Sequence, residues 1–139
     1  MTDTRSFDEI LRDLNREAEL HRKERDAFRK QAGFWADKRD RLNGMARERV
    51  AQASALREQR DGFYAPGAGG RDAYGHQAAG QAVRERMSGL YEEADGYRAQ
   101  ADDAHGKFLV CGKAADAEHR RYTEALQSIR KLKDGLGDG

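Results

Sequence analysis

The chain has 139 residues, 37% charged and 37% apolar, with a formal net charge of +1 and a mean hydropathy of −1.03. That balance excludes a conventional globular core, which needs more apolar residues, and no stretch approaches the roughly 20 apolar residues of a membrane span. Long charged helices fit it, because a two-helix seam needs only about two apolar residues in seven.

Met1-Thr-Asp-Thr-Arg-Ser6 has no apolar run of the signal-peptide kind, so a cytoplasmic location is expected. Ser6 with Glu9 three residues on reads as a capping box that starts a first helix near Phe7. From there a ladder climbs in sevens: Phe7, Leu14, His21, Phe28, Trp35, Leu42, Arg49, Leu56, Phe63. Leu11, Ala18, Arg25, Ala32, Arg39, Ala46, Ala53 and Arg60 interleave with it. A 4,3 spacing held this long is the pattern of a coiled-coil seam, because a 3.5 period keeps one stripe facing a partner helix. Helix 1 is predicted over residues 7–63, about 85 Å at 1.5 Å per residue.

Residues 64–80 hold the single proline, Pro66, and five glycines, and read as a glycine-rich turn. The segment Gly67-Ala-Gly-Gly70 is no phosphate loop, because no strand precedes it and no Gly-Lys-Ser/Thr follows. A second ladder then runs Met87, Ala94, Ala101, Phe108, Ala115, Tyr122, Ile129, Leu136. It interleaves with Val83, Leu90, Tyr97, Ala104, Cys111, Glu118, Ala125 and Leu132. Helix 2 is predicted over about 81–133, with its onset between Asp72 and Gln81, and residues 134–139 as a frayed tail. Cys111, the only cysteine, falls on this seam as a small hydrophobe. Gly89, Gly96, Gly106 and Gly112 each cost helix about 1 kcal/mol relative to alanine, so helix 2 is the intrinsically weaker arm.

The expected fold is therefore all-α: a single domain made of one long antiparallel two-helix coiled-coil hairpin with a glycine-rich tip. Pairing residues whose numbers sum to 143 sets Leu14 against Ile129, Ala53 against Leu90 and Leu42 against Ala101. Large then faces small in several layers, as interdigitation requires. The same register sets Arg25 opposite Glu118, a matched charge pair that would fix it. Arg39, Arg49 and Arg60 meet no acidic layer partner and are expected to carry their heads to solvent.

An Arg-Asp pair before an apolar residue recurs as Arg25-Asp26-Ala27-Phe28, Arg39-Asp40-Arg41-Leu42 and Arg60-Asp61-Gly62-Phe63. Its spacings are whole heptads, which a seam alone produces. These repeats resemble the N-terminal arm of an archaeal coiled-coil family, some of whose members carry a phosphoserine-phosphatase label. Met87-Ser-Gly-Leu-Tyr-Glu-Glu-Ala-Asp-Gly-Tyr-Arg-Ala-Gln-Ala-Asp-Asp-Ala-His-Gly-Lys-Phe108 and Ala114-Ala-Asp-Ala-Glu-His-Arg-Arg-Tyr-Thr-Glu-Ala-Leu-Gln-Ser-Ile-Arg130 resemble its C-terminal arm. The likeness covers both arms but not the tip, which is shorter here than in the family. That family is distantly similar to eukaryotic polysome-associated, messenger-binding coiled-coil proteins. The resemblance thus implies a ribosome- or RNA-linked role, and no Asp-x-Asp nucleophile motif supports a phosphatase.

No catalytic constellation, cofactor motif or metal motif is expected. His105, Cys111 and His119 are six and eight apart, which makes no helical metal face, and His21 on the seam reads as a satisfied core histidine opposite Tyr122. Charge is the remaining signal. Residues 21–60 hold twelve Lys/Arg against six Asp/Glu, whereas residues 91–120 hold four against seven. Attraction between the two arms across their flanks is one complete reading of that asymmetry. Its functional reading is phosphate contact by Arg22, Lys23, Arg29, Lys30, Lys38, Arg41, Arg47 and Arg57. Arg71, with Tyr64, Tyr74 and His76 as stacking groups, would extend the site into the turn. The expectation is a non-enzymatic, ribosome- or RNA-associated coiled-coil protein, a translation or ribosome-state factor. It takes no small-molecule substrate and has no membrane contact. The alternative is a structural adaptor that binds protein helices or self-associates.

Overall fold

A computed structural model describes residues 6–63 and 73–137, with side chains for 6–62 and 77–135. The fold is an all-α helical hairpin of two helices, α1 (Phe7–Phe63) and α2 (Ala73–Gly137). α1 begins where the cap places it. The Ser6 hydroxyl accepts the Glu9 N–H at 3.2 Å, and the Ser6 carbonyl accepts the Ile10 N–H at 3.0 Å. α2 is longer than the ladder suggests, taking in residues 73–80 and 134–137. Ala73, Ala78, Ala79 and Ala82 offset the cost of Gly75 and Gly80, and extending a helix already nucleated needs no new nucleus.

The hairpin divides into two compact units. Unit 1 joins residues 1–35 to 106–139, and unit 2 is residues 36–105. In unit 1, Ala18, Ala125 and Ile129 are buried together, with Leu11, Leu14 and Tyr122 packed on them. That set holds the expected layers Leu14–Ile129 and Ala18–Ala125. Trp35 meets Phe34 edge to face at 5.1 Å, and the Lys107 ammonium sits 4.5 Å above its ring. The Cys111 thiol lies 3.8 Å from Gln31 Oε1. In unit 2 the buried apolar side chains are Leu42, Ala46 and Ala53 of α1 with Met87, Leu90, Ala94, Ala101 and Ala104 of α2. Alanine recurs on both sides of this seam, with Leu42, Met87 and Leu90 as its larger buried side chains.

The polar seam residues pair differently from expectation. Arg25 does not pair with Glu118. It reaches Asp26 at 2.9 Å and His119 at 3.1 Å, with its guanidinium 5.1 Å over the Tyr122 ring. Glu118 instead holds His21 Nδ1 through Oε2 at 2.6 Å and accepts Arg121 Nη1 on Oε1 at 2.6 Å. The shared layer sets Arg25 and Glu118 level, but each leans toward charges on its own flank, and those flanks are opposite. Glu118 is the one buried charged residue among the described residues. The His21 bond holds its carboxyl below the usual range against the upward push of burial, and Arg121 adds to that.

The heads of Arg39, Arg49 and Arg60 are engaged rather than free. Arg39 bonds Asp40 at 3.0 Å and lies 2.9 Å from His105 Nδ1. Arg49 pairs with Glu93 at 2.9 Å and sits 5.8 Å over Tyr97. Arg60 pairs with Asp61 at 3.2 Å. The Arg-Asp repeat is thereby explained: each of its arginines is tethered by the aspartate that follows it. Arg25 and Arg39, fourteen residues apart, also clasp histidines fourteen apart on α2.

Two predictions test this packing. A Cβ added at Gly96 or Gly106 meets no atom within 4 Å, so Gly96→Ala and Gly106→Ala should each raise unfolding free energy by about 0.5–1 kcal/mol in urea titration. Ala53 and Leu90 are both fully buried. Ala53→Leu should therefore cost about 1–3 kcal/mol by overpacking and Leu90→Ala about 2–5 kcal/mol by cavity formation. The double swap should recover part of the sum; strict additivity would show that the two residues do not share a layer.

Candidate nucleic-acid interface

The heptad rows locate the charge. In α1 the seam rows are a (Leu11, Ala18, Arg25) and d (Leu14, His21, Phe28), so Arg22 and Arg29 occupy row e, and Arg16, Lys23 and Lys30 row f. Rows e and f between residues 15 and 30 contain five cations, Asn15 and no carboxylate. In the α2 half of unit 1 the d row carries Cys111, Glu118 and Ala125. Row e there is Gly112, His119, Leu126 and Lys133, and row f is Gly106, Lys113, Arg120, Gln127 and Asp134, with Asp134 the one carboxylate in the two rows. The Arg25–His119 contact brings the e flanks of the two helices together. Unit 1 therefore has a side on which both helices carry cations, with the row b carboxylates Glu19, Asp26 and Asp116 set among them.

Most of these cations are exposed and uncommitted. Arg16, Lys23, Arg29, Lys30, Lys113, Arg120 and Lys133 are all exposed. Arg22 differs: its Nε donates to Glu19 Oε2 at 3.0 Å, and Nη1 lies 3.4 Å from Asp26. The Glu19 bond and charge raise the Arg22 pKa, and the Arg22 bond lowers that of Glu19. Successive row-f cations on α1 stand about 10.5 Å apart along the helix. A rigid comb of this spacing suits contact with backbone phosphates rather than readout of base edges.

Of the residues singled out from sequence, Arg22, Lys23, Arg29 and Lys30 come together on this side. Lys38, Arg41, Arg47 and Arg57 are exposed in unit 2, but they fall on rows g, c, b and e and share no face. Lys38 already has a partner. Tyr64 and Arg71 lie outside the described residues, as do the side chains of Tyr74 and His76. Sequence reasoning missed Arg16, Lys113, Arg120 and Lys133. Counting charge along segments hid them: Lys113 and Arg120 fall in the acidic block 91–120, and Arg16 and Lys133 lie outside both segments; counting by heptad row reveals them.

No helix among the described residues is long and apolar enough to cross a membrane. No protein-family model, curated protein or solved structure matches the chain.

Proposed function

We propose that the chain is a non-enzymatic RNA-binding coiled-coil protein whose unit 1 seats on the phosphate backbone of structured RNA, ribosomal RNA being the natural case. The observation that supports this reading is the set of exposed cations that rows e and f of both helices bring to one side of unit 1, Arg16, Lys23, Arg29, Lys30, Lys113, Arg120 and Lys133, in a chain whose net charge is only +1. Regularly spaced cations on a helix pair suit binding by shape and phosphate contact, as double-helical RNA is recognised. Affinity then comes from counterion release and falls steeply with salt.

One observation favours the adaptor reading. Leu20 and Phe34, 54% and 55% exposed, lie with Ala27 on row c beside the row-f cations. A period of seven in exposed apolar residues suits a third helix. Apolar helix pairing survives high salt and phosphate contact does not, so salt separates the two readings.

The test is anisotropy of a labelled RNA duplex with the full chain, alongside co-sedimentation with ribosomal subunits. Replacing Arg16, Lys23, Arg29 and Lys30 by glutamate should release the chain from both while circular dichroism stays unchanged. The log–log salt slope should flatten by about 0.7–0.9 per lost contact. Arg41→Glu with Arg47→Glu in unit 2 should have little effect. Wild-type binding by the folded quadruple variant would remove the proposal, and salt-insensitive association lost in Phe34→Glu would put the adaptor in its place.

A further inference from the structure

On the opposite flank of unit 1, His21 and Glu24 of α1 and Glu118 of α2 bring one imidazole nitrogen and two carboxylate oxygens within 4.8 Å of one another. The geometry points to a divalent transition-metal site of the zinc class, bridging the two helices through His21 Nδ1, Glu118 Oε2 and a Glu24 oxygen.

Zinc binds imidazole nitrogen at about 2.0–2.1 Å and carboxylate oxygen at about 2.0–2.2 Å. Two ligands of one ion then stand at most about 4.3 Å apart, so closing a 4.8 Å spread takes rotamer adjustment of the exposed Glu24 and no backbone motion. His21 Nδ1 and Glu118 Oε2, at 2.6 Å, need to part by somewhat more than half an ångström to admit the ion. A fourth position is left to water, since this flank opens on a groove lined by Glu17, His21, Arg121 and Glu124. A nitrogen ligand argues against magnesium and calcium, which take oxygen.

The surroundings resemble the outer shell of such sites. Arg121 holds Glu118 Oε1 and so turns Oε2 toward His21. Glu17 Oε1 lies 3.8 Å from His21 Nε2, placed to accept that N–H once Nδ1 carries the metal. A carboxylate on the far ring nitrogen fixes tautomer and ring orientation at a metal-bound histidine. The charges favour a cation: Glu17, Glu24 and Glu118 against Arg121 alone. The ion would clamp α1 to α2 and link metal binding to the stability of unit 1.

Titration calorimetry of the metal-stripped full chain with Zn²⁺, with Mg²⁺ as control, tests this. One Zn²⁺ per chain should bind, with a rise in melting temperature that EDTA reverses, and Mg²⁺ should do neither. The His21 Nδ1 resonance should move in long-range ¹H–¹⁵N spectra. Glu24→Gln, at an exposed position that leaves the seam intact, should weaken binding at least about 10-fold. Glu17→Gln should weaken it by about 10–100-fold as an outer-shell loss. No Zn²⁺ binding, or binding that leaves His21 Nδ1 unmoved and survives Glu24→Gln undiminished, would reduce the cluster to an ion pair.

Discussion

Everything else in this molecule depends on an antiparallel seam in which small faces large. In unit 2 the alanines Ala46, Ala53, Ala94, Ala101 and Ala104 are buried together with Leu42, Met87 and Leu90. In unit 1 Ala18 and Ala125 are buried with Ile129, and Leu11, Leu14 and Tyr122 pack on them. Small residues cost the helices little and make register matter. A slip of one heptad keeps both stripes facing but sets Phe28 on Phe108 and Ala32 on Ala104 in one direction, and Phe28 on Tyr122 and Ala46 on Ala104 in the other, crowding some layers and leaving gaps in others.

The register also sorts the polar seam residues onto two flanks. In unit 1, Arg25 leans to the side of Asp26 and His119, while Glu118 leans to the side of His21 and Arg121. The buried carboxylate therefore has two partners at hydrogen-bond distance, and no buried side-chain polar atom among the described residues lacks one. An unpaired charge at that depth would be strongly destabilising. The division leaves one flank free to carry cations and makes the other a nest of carboxylates around an imidazole. The proposed RNA contact and the proposed metal site rest on these separate flanks, so one can fail without the other.

Much of the fold was legible in the sequence, because only a helix facing another helix keeps a 3.5 period over many turns, and the Ser6–Glu9 signal marked the start of α1. What was not legible depends on the direction in which a side chain leans. The Arg25–Glu118 pairing was reasonable by layer and wrong by flank, since a layer fixes height along the seam and not which neighbour a long side chain reaches. The same gap hid the His21, Glu24 and Glu118 cluster. Glu118 lies more than ninety residues from the other two, on the second helix, and spacing along one helix cannot reveal that. The onset of α2 at Ala73 falls within the window read from sequence, Asp72 to Gln81, while its other end runs to Gly137, into the segment read as a frayed tail. The cationic side was half legible: Arg22, Lys23, Arg29 and Lys30 were found from charge density, and Arg16, Lys113, Arg120 and Lys133 emerge only once rows are assigned on both helices.

The most direct test of the register is a set of electron–electron distances in unit 1, measured in a Cys111→Ala background. Spin labels at Lys23→Cys and Arg120→Cys occupy row f of each helix at the same height, because their numbers sum to 143. Labels at Lys23→Cys with Lys113→Cys, or with Gln127→Cys, are offset by seven residues, about 10.5 Å along the axis. The sum-143 register predicts the shortest distance for the Lys23–Arg120 pair and longer ones for both offset pairs. A shorter distance in either offset pair would mean that the helices dock one heptad away, and would contradict the layers, the clasps and the Glu118 cluster together.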